Sequence, residues 1–336
     1  MRAFRALAVG VAGAVLSLGL AACGGGGETA TEAQPSAGAS GASGGAWPRT
    51  VQHAMGTTTI PAQPKRVVAL DQSFVDAVLT LETEVVGYTT YRAIDEKLPG
   101  YLGEPLAAYG KNATPVGTLE APSLEQIVAL KPDLIVSAKV RHEALYDKLT
   151  QIAPTVFSET TGAIWKDNLR LMGRSLGKEE LAESKITAYE RRAAAIGASI
   201  KEKNGGEMPT VSVVRFAGEP TVRLYVENSY SGLVLKDVGF TRPADQPTTT
   251  ETIAVDISQE NIGQLDADHI FVATYPDPSV EETKKKFEGN PLWDRLKGEK
   301  REVSDLTWMS AVGILGAHAM LDDLAGFFEV DPAKTA

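Results

Sequence analysis

Residues 178–203 contain no proline and one glycine, and along them Ala182, Ile186, Tyr189, Ala193, Ile196 and Ile200 recur at spacings of four, three, four, three and four. This pattern is one apolar stripe on an α-helix. At 1.5 Å per residue the segment spans roughly 39 Å, long enough to run beside two lobes rather than to join neighbours inside one. Asn204-Gly205-Gly206 then stops it. A rod of this length at the middle of the chain constrains the fold to two bodies, one on each side.

The flanking sequence supplies them. Short β-branched runs at 66–70, 85–87, 133–138 and 154–157 alternate with helical patterns at 73–81, 141–152 and 165–176. Beyond the rod come strand-like runs at 210–214, 222–225 and 269–273, with helical patterns at 232–238 and 309–328. Such alternation predicts an α/β fold with mainly parallel sheets. An internal match supports a duplicated plan: residues 123–136 and 258–271 agree at six of fourteen positions. In both segments a serine, Ser123 or Ser258, stands where a helix N-cap belongs, and Glu125 or Glu260 falls in the first turn, where the helix dipole favours a carboxylate. The expected organisation is an N-terminal lobe at 47–177, an interlobe helix at 178–204 and a C-terminal lobe at 205–336, with a ligand cleft between the lobes.

The first residues read as an address. Arg2 and Arg5 precede an apolar run over 6–22, a secretory signal that is too short to span a bilayer comfortably. It ends in Leu20-Ala21-Ala22-Cys23, which resembles the lipobox of bacterial lipoproteins, where the cysteine becomes the lipidated N-terminus. An ordinary signal peptide with an incidental thiol is the alternative. The reading gives a signal peptide at 1–22 and a lipidated Cys23 with its linker at 23–46. Of the residues 24–46, 17 of 23 are Gly, Ala or Ser, a tether with a mean reach of about 25 Å. It would hold a globule at the outer face of the cell membrane.

Composition excludes several functions. A formal net charge of -10 speaks against a nucleic-acid binder. One cysteine permits no intrachain disulfide, and four scattered histidines leave little for a metal site, so none is expected. There is no P-loop and no G-x-S-x-G turn leading from a strand into a helix; a binding protein rather than an enzyme is expected. In parallel sheets ligands sit beyond the carboxyl ends of the strands. The side chains following the strand-like runs are Tyr91 and Arg92, Arg141, Trp165, Arg215, Tyr230, Tyr275 and Trp308, a set of arginines and aromatic rings.

The lipobox, the small-residue tether, Pro64-Lys-Arg-Val-Val-Ala-Leu70, Val85-Val-Gly-Tyr88, Pro122-Ser-Leu-Glu125 through Lys131-Pro-Asp-Leu-Ile135, the connecting helix, and Ser258-Gln-Glu260 through Asp268 together resemble the ferric-siderophore-binding lipoproteins of bacterial ABC importers. The resemblance covers about residues 47–330. It implies two α/β lobes about a rigid helix with limited hinge motion, and a ferric siderophore in a shallow cleft. The partners it implies are an ABC permease pair and the membrane, the latter through lipid on Cys23, with the receptor itself a monomer. Arginine forks and stacking rings suit a bulky, often anionic ferric complex. The segment 141–156 also looks like the part of staphylococcal-type and actinobacterial receptors that donates a ligand-binding arginine, which points to Arg141. Glu125 and Glu260 resemble the glutamates that dock such receptors on permease arginines; stabilisation of two surface helices is the alternative. Gly117-Thr-Leu-Glu-Ala-Pro122 lacks the arginine that some hydroxamate receptors carry there. A haem or cobalamin receptor of the same fold is the rival cargo reading, and a secreted hydrolase or a sensor lipoprotein the rival from other classes.

Overall fold

The computed structural model describes residues 46–91 and 97–334. The signal peptide, the tether up to residue 45, Cys23 and Arg92 lie outside the described residues. A hairpin of β1 (Arg49–His53) and β2 (Gly56–Ile60) comes first, and its buried Val51 and Ile60 pack into the core.

The first sheet contains β3 (Arg66–Ala69), β4 (Glu84–Thr90), β5 (Thr114–Thr118), β6 (Leu134–Ala138) and β7 (Thr155–Ser158), all parallel and ordered β5-β4-β3-β6-β7. Its connections carry α1 (Gln72–Thr80), α2 (Gly103–Tyr109), α3 (Leu124–Leu130), α4 (Lys139–His142) and α5 (Tyr146–Thr150). Helix α6 (Trp165–Leu176) leads to α7 (Glu179–Lys203), the rod at the centre of the chain. All six apolar residues of its sequence stripe are buried.

The second sheet holds β8 (Val211–Phe216), β9 (Val222–Tyr225), β10 (Ala254–Ile257), β11 (His269–Thr274) and β12 (Glu299–Val303), in the order β10-β9-β8-β11-β12. Strands β8, β11 and β12 are parallel, whereas β9 runs antiparallel to β8 and to β10. The five residues between β8 and β9 are too few for a crossover helix, so the chain must return as a hairpin. Helices α8 (Tyr230–Val238), α9 (Pro278–Glu288) and α10 (Ile314–Phe327) complete the C-terminal part.

The α/β class with mainly parallel sheets is borne out, and two helical expectations differ. The pattern at 141–152 breaks into α4, a 3₁₀ turn and α5, because the buried His142 ring is tied to Ser137 and Leu119 and its backbone leaves the helical region at φ -132°. The pattern at 309–328 splits into a π-helical turn (Leu306–Ser310) and α10, with Gly313 extended between them. A Cβ on Gly313 would lie 2.2 Å from the carboxyl carbon of Asp76.

One continuous core runs from Val67, Val85 and Val136 of the first sheet, through Ile186 and Ile196 of α7, to Val211 and Phe271 of the second. The two sheets therefore share buried packing and are not separate globules on a tether. Helix α10 returns from the second sheet to α1, where Asp76, fully buried, accepts hydrogen bonds from the backbone N–H of Leu315 and Gly316.

Candidate functional site

In the first sheet the chain progresses from β3 outward through β4 to β5, then restarts on the other flank with β6 and β7. The loops leaving β3 and β6 diverge at this point, which makes the crevice where open α/β sheets take ligands. Asp71 follows β3 and Arg141 follows β6. They meet across the crevice: Arg141 Nε donates to Asp71 Oδ2 at 3.0 Å. The other carboxylate oxygen, Oδ1, accepts from the N–H and the hydroxyl of Ser73, at 2.9 and 2.7 Å, and so caps α1. The Asp71 side chain is only 7% exposed and that of Arg141 36%, so the guanidinium projects from a buried anchor towards solvent.

His142, beside it, is part of the frame. Its Nε2 lies 2.6 Å from the carbonyl oxygen of Leu119; a carbonyl can only accept, so Nε2 carries the proton and Nδ1 accepts from the Ser137 hydroxyl at 2.7 Å. Burial disfavours the charged ring and lowers its pKa, which leaves Arg141 as the cation at this point. The loop after β5 is thereby tied to β6. At the outer edge Lys139 pairs with Glu159, and Val140 is left 61% exposed.

The equivalent switch in the second sheet lies between β8 and β11. There Tyr275 N–H donates to the Phe216 carbonyl at 2.9 Å, and the half-buried Tyr275 side chain stands at the strand ends. Tyr91, directly after β4, is half-buried as well.

The remaining predicted contacts are enclosed. Arg215 is buried, with Nε and Nη2 on the two oxygens of buried Asp305 at 2.6 and 2.9 Å and Nη1 on the Tyr225 hydroxyl at 3.2 Å. Burial alone would lower its pKa, but Tyr225 and Asp305 outweigh that and hold it cationic. Trp308 is fully buried, its Nε1–H donating to Asp323 at 2.8 Å and its ring 4.7 Å from that of Phe271. Trp165 and Tyr230 come together edge to face at 5.9 Å, and Trp165 also meets Tyr189 of α7 at 5.2 Å. The Tyr230 hydroxyl donates to the Gly313 carbonyl at 2.7 Å. A ligand would have to displace these protein partners to reach the four side chains. The three rings belong to the core shared by the two sheets, since rings after strand ends serve core packing as readily as a cleft.

Glu125 and Glu260 are both exposed, each in the first turn after the strand on the outer edge of its sheet. Ser123 caps α3 by accepting from Gln126 N–H at 3.3 Å. Ser258 does not cap a backbone N–H; its hydroxyl bonds the Glu260 carboxylate, which with the backbone N–H of Glu260 lowers that carboxyl's pKa. Asp71 was not among the residues singled out from the sequence. The signal for it is local: an Asp two residues before a serine, between a strand and an apolar helix, is a helix cap.

Among the described residues no group of three or more His, Cys, Asp or Glu side chains is placed to hold a metal ion, and no helix is long and apolar enough to cross a membrane.

Comparison with known proteins agrees with this architecture. Residues 67–300 match the periplasmic binding protein family. Over 300 residues the sequence is 37% identical to the probable siderophore-binding lipoprotein YfiY of Bacillus subtilis, covering 83% of this chain and 87% of that protein. Over 269 residues it is 32% identical to the achromobactin-binding periplasmic protein of Dickeya dadantii, covering 78% and 86%. The crystal structure of Staphylococcus aureus SirA complexed with staphyloferrin B superposes with a TM-score of 0.76 at 33% identity, covering 84% of this chain and 99% of that one.

Proposed function

Because the chain belongs to the periplasmic binding protein family, whose members bind rather than transform their ligands, we propose that it is an extracytoplasmic receptor that captures a ferric siderophore and delivers it to an ABC permease for iron uptake. The observation that carries this reading is Arg141 at the topological switch of the first sheet, its Nε anchored on Asp71 while the guanidinium remains partly exposed. Such a fork suits a carboxylate or another anionic oxygen at the rim of a chelated ferric ion. Relatives and a structural neighbour named for siderophores support the same cargo class. Tyr91 and Tyr275, half-buried at strand ends, and Arg92 are proposed as further contacts. In this reading residues 47–177 and 205–336 are the lobes that hold the cargo, with 178–204 between them, and the protein acts as a monomer.

The test is a fluorescence-quenching titration of the purified protein with ferric citrate, ferric staphyloferrin B, ferrioxamine B, haem and cobalamin. We expect saturable 1:1 binding of an anionic ferric siderophore, no chemical turnover, and a loss of about tenfold or more in affinity for Arg141→Ala, as for a charge-assisted hydrogen bond. Preference for haem or cobalamin would overturn the cargo class.

Two attachments complete the proposal. Lipid on Cys23 would hold the receptor at the outer face of the membrane, and a precursor mass unchanged by Cys23→Ala would exclude it. Glu125 and Glu260, exposed on the two sheets at matching positions, would dock on the paired permease subunits.

A further inference from the structure

Asp71 holds two structures with one carboxylate. Its Oδ1 is taken by the N–H and hydroxyl of Ser73 at the start of α1, and its Oδ2 by Nε of Arg141. The two engagements fix each other, because rotating the carboxylate to release Arg141 would also release the cap. Arg141 itself stands on α4, a four-residue helix without a side-chain cap, which gives its long side chain little support of its own. Pairing through Nε leaves the opposite edge of the guanidinium, Nη1 and Nη2, without a hydrogen-bond partner among the described residues. The preceding residue, Val140, is exposed as well.

We propose that Asp71 is a positioning residue for cargo binding: it holds Arg141 in the orientation that presents the Nη1/Nη2 edge, so that an anionic group of the ferric complex is met end-on. The inference rests on the reading of Arg141 as a ligand contact. It goes further in assigning the affinity of Arg141 to a second residue that touches no ligand, and in fixing which edge of the guanidinium is offered. Preorganisation of this kind raises affinity by removing the ordering cost from the binding step. Because the Nε edge is occupied, a carboxylate can form two parallel hydrogen bonds only with the terminal pair of nitrogens.

The experiment is a double-mutant cycle on the full chain. Asp71→Ser is the informative variant, since serine is a good helix cap and keeps α1 capped while removing the oxygen that holds Nε; Asp71→Asn is the second. Each is made with Arg141 present and with Arg141→Ala, and titrated with ferric citrate, ferric staphyloferrin B and the cationic ferrioxamine B, with melting temperature as the control for folding.

With Arg141 present, Asp71→Ser is expected to weaken the tightest-binding anionic complex by about tenfold; with Arg141→Ala the further loss should be under about twofold, because coupled residues do not add. Ferrioxamine B binding should not respond. Equal losses in both backgrounds would make Asp71 a purely structural residue and overturn the inference while leaving Arg141 as a contact. Tighter binding of anionic complexes by Asp71→Ser would also overturn it, since Asp71 would then compete with cargo for Arg141. No effect of Arg141→Ala, or no binding of any probe by the wild-type protein, would remove the reading beneath it and the inference together. If both Asp71 variants lower the melting temperature, the cycle still decides, because the Arg141→Ala background carries the same loss.

Discussion

Asp76 offers the sharpest quantitative test of how the two halves are joined. It lies on α1, is fully buried, and accepts from Leu315 N–H at 3.2 and 3.1 Å and from Gly316 N–H at 3.1 Å at the start of α10. Burial pushes its carboxyl up from 3.8 to about 7, against the backbone N–H groups of Leu315 and Gly316, the Thr80 hydroxyl and Ile314 N–H, which favour the ionised form. Between those two values the folded protein keeps a proton that the unfolded chain has lost. The stability contributed by protonation is therefore complete below pH ~4, falls as pH rises, and is lost above pH ~7. One pH unit is worth ~1.4 kcal/mol, so about 2–3 kcal/mol should disappear between pH 5 and pH 8. Buried His142 and half-buried His53, His269 and His318 have pKa values lowered by desolvation and act in the opposite direction, contributing more stability as pH rises. A difference against Asp76→Asn removes them, because the amide is neutral throughout and can still accept through its oxygen. Urea unfolding at a series of pH values, followed by tryptophan fluorescence, gives the two curves. Wild type should lose stability relative to the variant by that amount from pH 5 to pH 8. A difference constant within about 0.5 kcal/mol would show that the N–H groups of α10 hold Asp76 ionised throughout, and would refute the reasoning.

Asp305→Ala should destabilise by ~3–5 kcal/mol in urea unfolding, because it strands the buried Arg215 charge; a loss under about 1 kcal/mol would mean that Arg215 finds water. Combined reversal by Glu125→Arg and Glu260→Arg should abolish uptake of radiolabelled ferric siderophore by whole cells, with cargo affinity and melting temperature close to wild type. If the two carboxylates only stabilise helix ends, uptake persists and stability falls by about 0.3–1 kcal/mol each.

The long helix and the alternation of strands were legible because both depend on periodicity within a short window. Ala182 to Ile200 bury the face that their spacing assigns, and the parallel strands hold uninterrupted apolar runs such as 67–69 and 134–136. The hairpin at 49–60 was not legible: Val51 and Ile60 are its only buried apolar residues, and four threonines with Arg49, Gln52, His53 and Gly56 make up most of the rest. The break at Gly313 was hidden for another reason, since it exists to admit Asp76, more than two hundred residues earlier. The same limit governs the site. Arg141 could be placed after a strand, but its partner Asp71 lies 70 residues away, and Arg215 and Asp305 are 90 apart. Order along a chain shows which side chains follow strand ends. It does not show whether a ring there stays half-buried, as at Tyr275, or turns into the core, as at Trp308.

The internal repeat shows how far duplication carries structure. Residues 123–136 and 258–271 align, yet the first builds an α-helix capped by Ser123, and the second a 3₁₀ helix whose Ser258 bonds the Glu260 side chain instead. Both segments leave an edge strand that runs in the common direction of its sheet: β5 is parallel to β4, and β10, antiparallel to β9, runs with β8 because β9 is antiparallel to both. The difference is local to the segment: in the second copy the serine hydroxyl faces the Glu260 carboxylate rather than a backbone N–H. The consequence falls on the charges. Glu260 is held by Ser258 and its own N–H, so it loses less side-chain freedom on meeting a cationic partner than a carboxylate without such ties. A partner that engages both lobes through these carboxylates therefore meets two unlike contacts, which gives the pair a direction that a symmetric duplication would lack.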